Sequence, residues 1–303
     1  MDKHAYLIMT HGNFENLSVC LSLLDDDRND IYIHVDKKVK EEDLKKVKDE
    51  IEKRVQKSQV FYTKRINVKW GTDSIMRAML ILLKAAIKGE YAYYHLLSGA
   101  DLPIKSQDYI HDFFAKHNGK EFVSFNRESA SPESLKSVQY YYFGDRRKRF
   151  PGFLLKIQRK LGVNRLKKNI VYQKGGSWFS ITDKLATYIV SKEKEIKKLF
   201  RHTWTCDEIF LQTMVINSDF KNSLWDKDFE DHGRRSADSK KPQGNMRTLI
   251  WDTVSDAHPI NLTMKQLDYL KESEALYARK FDWKCDSEVI CKVYEMLTQK
   301  EWK

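Results

Sequence analysis

HAYLIMTHGNFENLSVCLSLLDDDRNDIYIHVD, residues 4–36, sets two short runs rich in branched and aromatic residues, HAYLIMT and DIYIHVD, on either side of a stretch with a different period. Within it Leu17, Cys20, Leu21 and Leu24 recur at helical spacing, so residues 16–24 read as an amphipathic helix between two strands. The alternation continues outward. A charged helix over 41–57 leads to QVFYT at 59–63. An amphipathic helix over 72–88 leads to the aromatic strand YAYYHLLS at 91–98, a turn at GADLP (99–103), another helix and EFVSF at 121–125. Strands separated by helices predict an α/β fold with a mostly parallel, Rossmann-like central sheet flanked by helices. Its ligands should bind beyond the carboxyl ends of the strands.

Between about 126 and 174 the rhythm breaks into a polar and then strongly basic stretch. It resumes with GGSWFSI (175–181), a helix from Thr182, a helix opened by TCDE (205–208), a loop of Asp, Lys and Gly over 225–245, and two C-terminal helices. No repeat and no Pro- or Ser-rich linker divides the chain, which predicts a single compact domain with a basic insertion. Its 303 residues, 41% hydrophobic, suffice for a sizeable core.

Lys plus Arg (54) against Asp plus Glu (43) leaves +11, a surface that attracts phosphates of nucleotides, nucleic acid or lipid heads. The apolar run before Thr10 is too short for a signal-peptide core, and AMLILL (78–83) stops at Lys84, so no membrane span is expected. Cys20, Cys206, Cys285 and Cys291 lack CxxC spacing, which argues against a zinc site or disulfide framework and for a reducing, cytoplasmic setting.

The candidate nucleotide- or sugar-binding residues lie just after strands: His11, Val35 and Asp36, then Gly99 and Asp101. The Asp36 carboxylate suits a base or ribose hydroxyl, and equally a solvated turn. No Asp-x-Asp pair follows a strand. Asp25 and Asp27 read as a helix-stop turn, and Asp226 and Asp228 lie in a charged loop, so no metal site is predicted. Cations must then balance any diphosphate, and ALYARKFD (275–282) supplies Arg279 and Lys280, unless these are a solvated pair at a helix end. Gly175 and Gly176 permit close backbone approach, to a sugar or within a tight turn, and beside them Ser177 and Trp178 are further binding candidates. Thr205 with Glu208 three residues on forms a capping-box pattern, while a carboxylate at a helix N-terminus is also well held for general-base work. Asp207 beside it is redundant for capping.

Taken in order, AYLIMTHGNFENLSVCLSLLDDDRNDIYIHVDKK, INVKWGTDSIMRAMLILLKAAI, YAYYHLLSGADLPIKS, GGSWFSITDK, TWTCDEIFLQTMV and ALYARKFD resemble the core-2/I-branching β-1,6-N-acetylglucosaminyltransferase family, which also includes peptide O-xylosyltransferases. The likeness runs from about residue 4 to 282, is weakest at 126–170 and 225–260, and suggests a bacterial-type member. It implies a GT-A type fold and an inverting mechanism with no obligatory metal or cofactor. A UDP-sugar donor, UDP-N-acetylglucosamine by family default, and a glycan acceptor in surface polysaccharide synthesis follow from it. The glutamate matching the family's base is Glu208, with Asp207 near the substrate, and the lysine matching its diphosphate contact is Lys280. The animal enzymes carry a second basic residue upstream. Here that region reads DAHPINLT, so Arg279 or Arg247 is left to substitute. Residues 1–125 become the nucleotide-sugar half and 126–303 the acceptor and catalytic half, with the basic insertion at 139–170.

FGDRRKRFPGFLLKIQRKLGVNRLKK (143–168) sets ten cations, from Arg146, Arg147, Lys148 and Arg149 to Lys167 and Lys168, around Phe150, Phe153, Leu154, Leu155 and Ile157. It reads either as a solvated loop or, over 146–168, as a segment lying on the anionic inner face of a membrane near a lipid-linked acceptor. Nucleic acid is not expected as a partner, since no zinc-finger, RRM or helix-turn-helix pattern accompanies the charge. A non-catalytic sugar-binding module is the remaining rival.

Overall fold

The computed structural model describes residues 3–126, 132–143, 152–227, 242–251 and 259–302. In it the opening stretch folds as β1 (His4–Thr10), α1 (Phe14–Leu24) and β2 (Asn29–Val35). Both strands are buried almost throughout, as strands covered on two faces must be. Ala5 and Leu7 enter the core on one side and Tyr6 and Ile8 the core on the other, following the two-residue period of a strand.

The pattern continues through α2 (Glu41–Arg54), β3 (Gln59–Tyr62), α3 (Asp73–Ala86) and β4 (Tyr93–Ser98). Then come β5 (Asp101–Pro103), α4 (Gln107–Lys116), β6 (Phe122–Val123), α5 (Pro132–Gln139) and α6 (Gly152–Lys160). The chain completes its central elements with β7 (Phe179–Thr182), α7 (Asp183–Ser191), α8 (Glu193–Phe200) and α9 (Phe210–Ile216). It ends with β8 (Arg247–Leu249), α10 (Leu267–Glu272), β9 (Tyr277–Arg279) and α11 (Ser287–Thr298).

The central sheet runs β3-β2-β1-β4-β7-β6. Its first four strands are parallel, and β7 is antiparallel to both β4 and β6, so the sheet is mostly parallel as expected. One core gathers α1, α2, α4, α10 and α11, the other α3, α7, α8 and α9, and each draws residues from before and after position 125. Strand order reverses between β1 and β4, and the crevice beyond their carboxyl ends is where a sheet of this kind takes a ligand. Side-chain caps sharpen several helices: Thr72 on α3, Ser106 on α4, Thr182 on α7 and Asp286 on α11 each accept from a first-turn amide.

Three local expectations fail. GADLP does not only turn, because DLP becomes β5 and pairs antiparallel with β9, a partner far along the chain. With β8 these strands form a second, three-stranded sheet. ALYARKFD is therefore a strand, and Arg279 and Lys280 do not sit on a helix end. The capping box at Thr205 does not form either. Thr205 adopts a left-handed conformation (φ 45°) with no side-chain cap bond, residues Cys206–Glu208 make a 3-10 turn, and α9 starts only at Phe210. In the basic segment, Arg146 to Phe150 lie outside the described residues, as does Asp228 of the charged loop. Among the described residues no helix is long and apolar enough to cross a membrane.

Candidate active site

The crevice at the strand ends is assembled by backbone contacts that only small or polar residues permit. A Cβ on Gly99 would stand 2.7 Å from Thr10 Oγ1, so a glycine there lets the end of β4 close on the end of β1. The Gly99 amide donates to Met9 O at 3.0 Å, and Asn16 Nδ2 donates to Gly99 O at 2.7 Å. His11 is exposed at the mouth. Val35 buries its side chain in the core, which leaves only its backbone to face a ligand. Asp36 is buried as well. Its Oδ1 accepts from Lys38 N at 2.9 Å and its Oδ2 from Val68 N at 3.3 Å, while Lys38 Nζ lies 3.2 Å away, which is the turn-acid arrangement.

Lys280 follows β9 and reaches this crevice by three backbone ties. Phe281 N donates to Ala100 O at 2.8 Å, Asn13 Nδ2 donates to Phe281 O at 3.1 Å, and Leu262 N donates to Lys280 O at 2.8 Å. Lys280 therefore stands between the turn after β1 and the turn after β4. It is half-buried, and among the described residues no carboxylate pairs with it.

Arg279, next to it, has Nε 3.5 Å from Asp101 Oδ1, its guanidinium 4.3 Å from the Trp178 ring centre, and a buried Nη1 with no hydrogen-bond partner among the described residues. Asp101 is buried and accepts from Ser98 N, so it closes the β4 turn while orienting Arg279. Arg247 plays a different part. It is fully buried, its guanidinium donates to Leu96 O (3.2 Å), Phe179 O (2.6 Å), Ser180 Oγ (2.8 Å) and Asn245 O, and it stacks on Tyr277 at 4.7 Å. With those donors committed it is not positioned to serve a diphosphate, and of the two candidate substitutes Arg279 is the one at the crevice.

From Trp178 the wall continues to the two acids. Ser177 Oγ donates to Asp207 Oδ2 at 2.8 Å, and Asp207 Oδ1 is buried with no hydrogen-bond partner among the described residues. Burial first, and the charge of Glu208 second, push the Asp207 carboxyl well above the usual range, against the Ser177 hydrogen bond. Glu208 has 36% of its side chain exposed, with Lys174 Nζ 3.1 Å from its Oε2. Its carbonyl accepts from Gly175 N at 2.8 Å.

The glycines of GGSW serve packing. A Cβ on Gly175 would lie 1.9 Å from Ser124 O, and one on Gly176 2.6 Å from Ser124 Oγ, so both let the loop press on the end of β6. Gln212 Nε2, from α9, donates to Gly176 O at 2.7 Å and fixes the loop to the helix behind Glu208.

Sequence reasoning missed Lys174, Trp70 and Trp204. Trp204 N donates to Ser137 O, the Trp204 ring covers Gly71 so closely that a Cβ there would clash at 2.2 Å, and Trp70 meets it edge to face at 5.3 Å. Trp70 is exposed, so an aromatic surface stands four residues upstream of Glu208. The WG pair at 70–71 was the available signal. Among the described residues no three His, Cys, Asp or Glu side chains converge as metal ligands.

An α/β chain whose strand order switches at a crevice, with a lysine that pairs with no carboxylate among the described residues at one end of the wall and a part-exposed carboxylate at the other, is of the ligand-binding α/β class. A family model for the Core-2/I-branching enzymes matches residues 4–268, and the chain belongs to that family. Xylosyltransferase oxt of Drosophila melanogaster is 22% identical over 243 residues, covering 77% of this chain and 27% of the fly protein. Its counterpart in Drosophila pseudoobscura pseudoobscura is 24% identical over 163 residues, covering 51% and 18%. The chain thus spans at most about a quarter of the length of these curated relatives. Among solved structures, apo mouse xyloside xylosyltransferase 1 superposes with a TM-score of 0.35 at 11% identity, covering 71% of this chain and 82% of that one. The apo WbbM bifunctional glycosyltransferase gives 0.32 at 10% identity, covering 66% and 38%. At those scores the overlap is loose, and the architecture rests on the sheet order itself.

Proposed function

We propose that the chain is an inverting glycosyltransferase, moving a sugar from a nucleoside diphosphate donor to a hydroxyl of a glycan acceptor without a required metal. The observation that carries this reading is the state of Glu208. It caps no helix, it is open to solvent, and it ends a wall that leads through Asp207, Ser177, Trp178 and Arg279 to Lys280.

The acceptor oxygen gives its proton to the Glu208 carboxylate as it attacks the anomeric carbon from the face opposite the leaving group. The bond from that carbon to the diphosphate oxygen breaks, the diphosphate departs with the electron pair, and Lys280 with Arg279 offsets its growing charge. Lys174 keeps Glu208 oriented before the acceptor arrives. The Trp70 and Trp204 rings offer an apolar face for the acceptor sugar. UDP-N-acetylglucosamine is the proposed donor, in synthesis of a bacterial surface polysaccharide. Because the curated relatives are named xylosyltransferases, UDP-xylose is the competing donor.

Glu208→Gln preserves shape and removes the base. Turnover is expected to fall at least about a hundredfold with the melting temperature unchanged. Near-normal turnover in that variant would end the reading. The same assay with EDTA tests the metal, full activity being the expected result, and thermal shift with UDP-N-acetylglucosamine against UDP-xylose decides the donor.

A further inference from the structure

We propose that the outward face of α6 is a docking surface for an anionic lipid bilayer. Phe153, Ile157 and Leu161 are spaced four apart and so form one stripe along the helix, with Leu161 N donating to Ile157 O at 2.9 Å to extend the turn. They are 59%, 47% and 73% exposed, which leaves three large apolar side chains in water on one face. Lys160 projects from the same side of the helix and Lys156 borders it, whereas Arg159 turns the other way, over the Tyr140 ring at 5.8 Å. Residues 152–168 contain six Lys and Arg and not one Asp or Glu.

The opposite side is fastened to the protein, which fixes the stripe outward. Gln158 Oε1 accepts from Tyr141 N at 2.8 Å and Gln158 Nε2 donates to Tyr141 O at 3.0 Å. Beyond the helix, Arg165 donates to Tyr140 O and to Leu199 O, each at 3.0 Å, and to Arg201 O at 2.5 Å, and stacks on Tyr141 at 4.3 Å. Tyr141 and Phe143, both exposed, add aromatic rings of the kind that settle at a bilayer interface.

An apolar stripe bordered by cations matches an anionic headgroup layer with acyl chains beneath it. A nucleic acid would pair with the cations and leave the stripe in water. The surface also has a direction relative to the site. Tyr142 N donates to His202 O at 2.8 Å, so the docked segment adjoins the loop that carries Trp204 and, four residues on, Glu208.

The test is cosedimentation of the full chain with vesicles of phosphatidylcholine, with and without phosphatidylglycerol. No substrate is needed, so the result stands apart from the transferase reading. The chain is expected to bind only the phosphatidylglycerol vesicles and to be released by salt. Ile157→Glu with Leu161→Glu is expected to weaken binding by about tenfold or more, and Lys156→Glu with Lys160→Glu likewise, with melting temperatures unchanged because all four side chains are exposed. Equal binding to both vesicles, or full binding by the apolar double variant, would overturn the proposal. So would light scattering that shows a dimer dissociated by that variant, or competition by duplex DNA that the variant leaves intact.

Discussion

Glu208 and Thr205 show how one dihedral angle can reassign a side chain. The TCDE spacing fits a capping box, but a box needs its first residue in extended backbone, and Thr205 is left-handed with φ 45°. Thr205→Ala should therefore change stability by less than about 0.5 kcal/mol, whereas loss of a working cap would cost about 1 kcal/mol. Chemical denaturation decides between them. The same geometry leaves Glu208 partly open to solvent, while its neighbour Asp207 keeps its Oδ1 buried. Both acids were legible as candidates from sequence, but which of them faces water was not, because exposure depends on Ser177, Lys174 and Trp178 arriving from another segment.

At the scale of elements, the start of α7 is tied to a buried acid just before β6 that no motif announced. Glu121 accepts from Thr182 N at 2.9 Å and from Thr182 Oγ1 at 2.5 Å, and burial pushes its carboxyl from 4.5 up to about 7. The folded chain thus binds this proton more tightly than the unfolded chain. Its contribution is fully present below about pH 4.5 and is lost as pH rises through about 7. Glu121→Gln keeps an acceptor for Thr182 N without the charge, so it should be more stable than the parent at pH 8, on the order of 1–3 kcal/mol, with a flatter profile between those pH values. Urea melts across that range test it, and an unchanged slope would reject it. Regular elements with a clear period, such as α1, α3 and β4, were readable in advance. Strand β5 was not, because three residues without alternation become a strand only when β9 supplies the ladder.

For the whole molecule, Arg247 holds the two sheets together. From β8 of the small sheet its guanidinium reaches carbonyls of β4 and β7 in the large one, and Ser180 Oγ passes the contact on to His95 Nδ1 at 2.7 Å. Burial lowers it to about 10, which still leaves it charged at neutral pH. Arg247→Met should destabilise the fold by at least about 3 kcal/mol, since several buried acceptors lose their donor at once. A melting temperature close to the parent would mean that the sheets are held by apolar packing alone. Because the small sheet carries Arg279 and leads directly into Lys280, the same change should also weaken binding of the proposed donor.

The sequence by itself determined the layered α/β order, the mostly parallel sheet and the position of the strand ends, because these follow from local periodicity and short-range turns. Only the tertiary structure decided which charged groups meet. Arg279 was set on Trp178 and Asp101, Arg247 was consumed as a clamp, Lys280 was left between two strand ends, and Glu208 was turned to solvent. Those outcomes depend on contacts between segments far apart in the chain, where burial and competing partners fix the use of each charge, and a linear pattern carries no record of either.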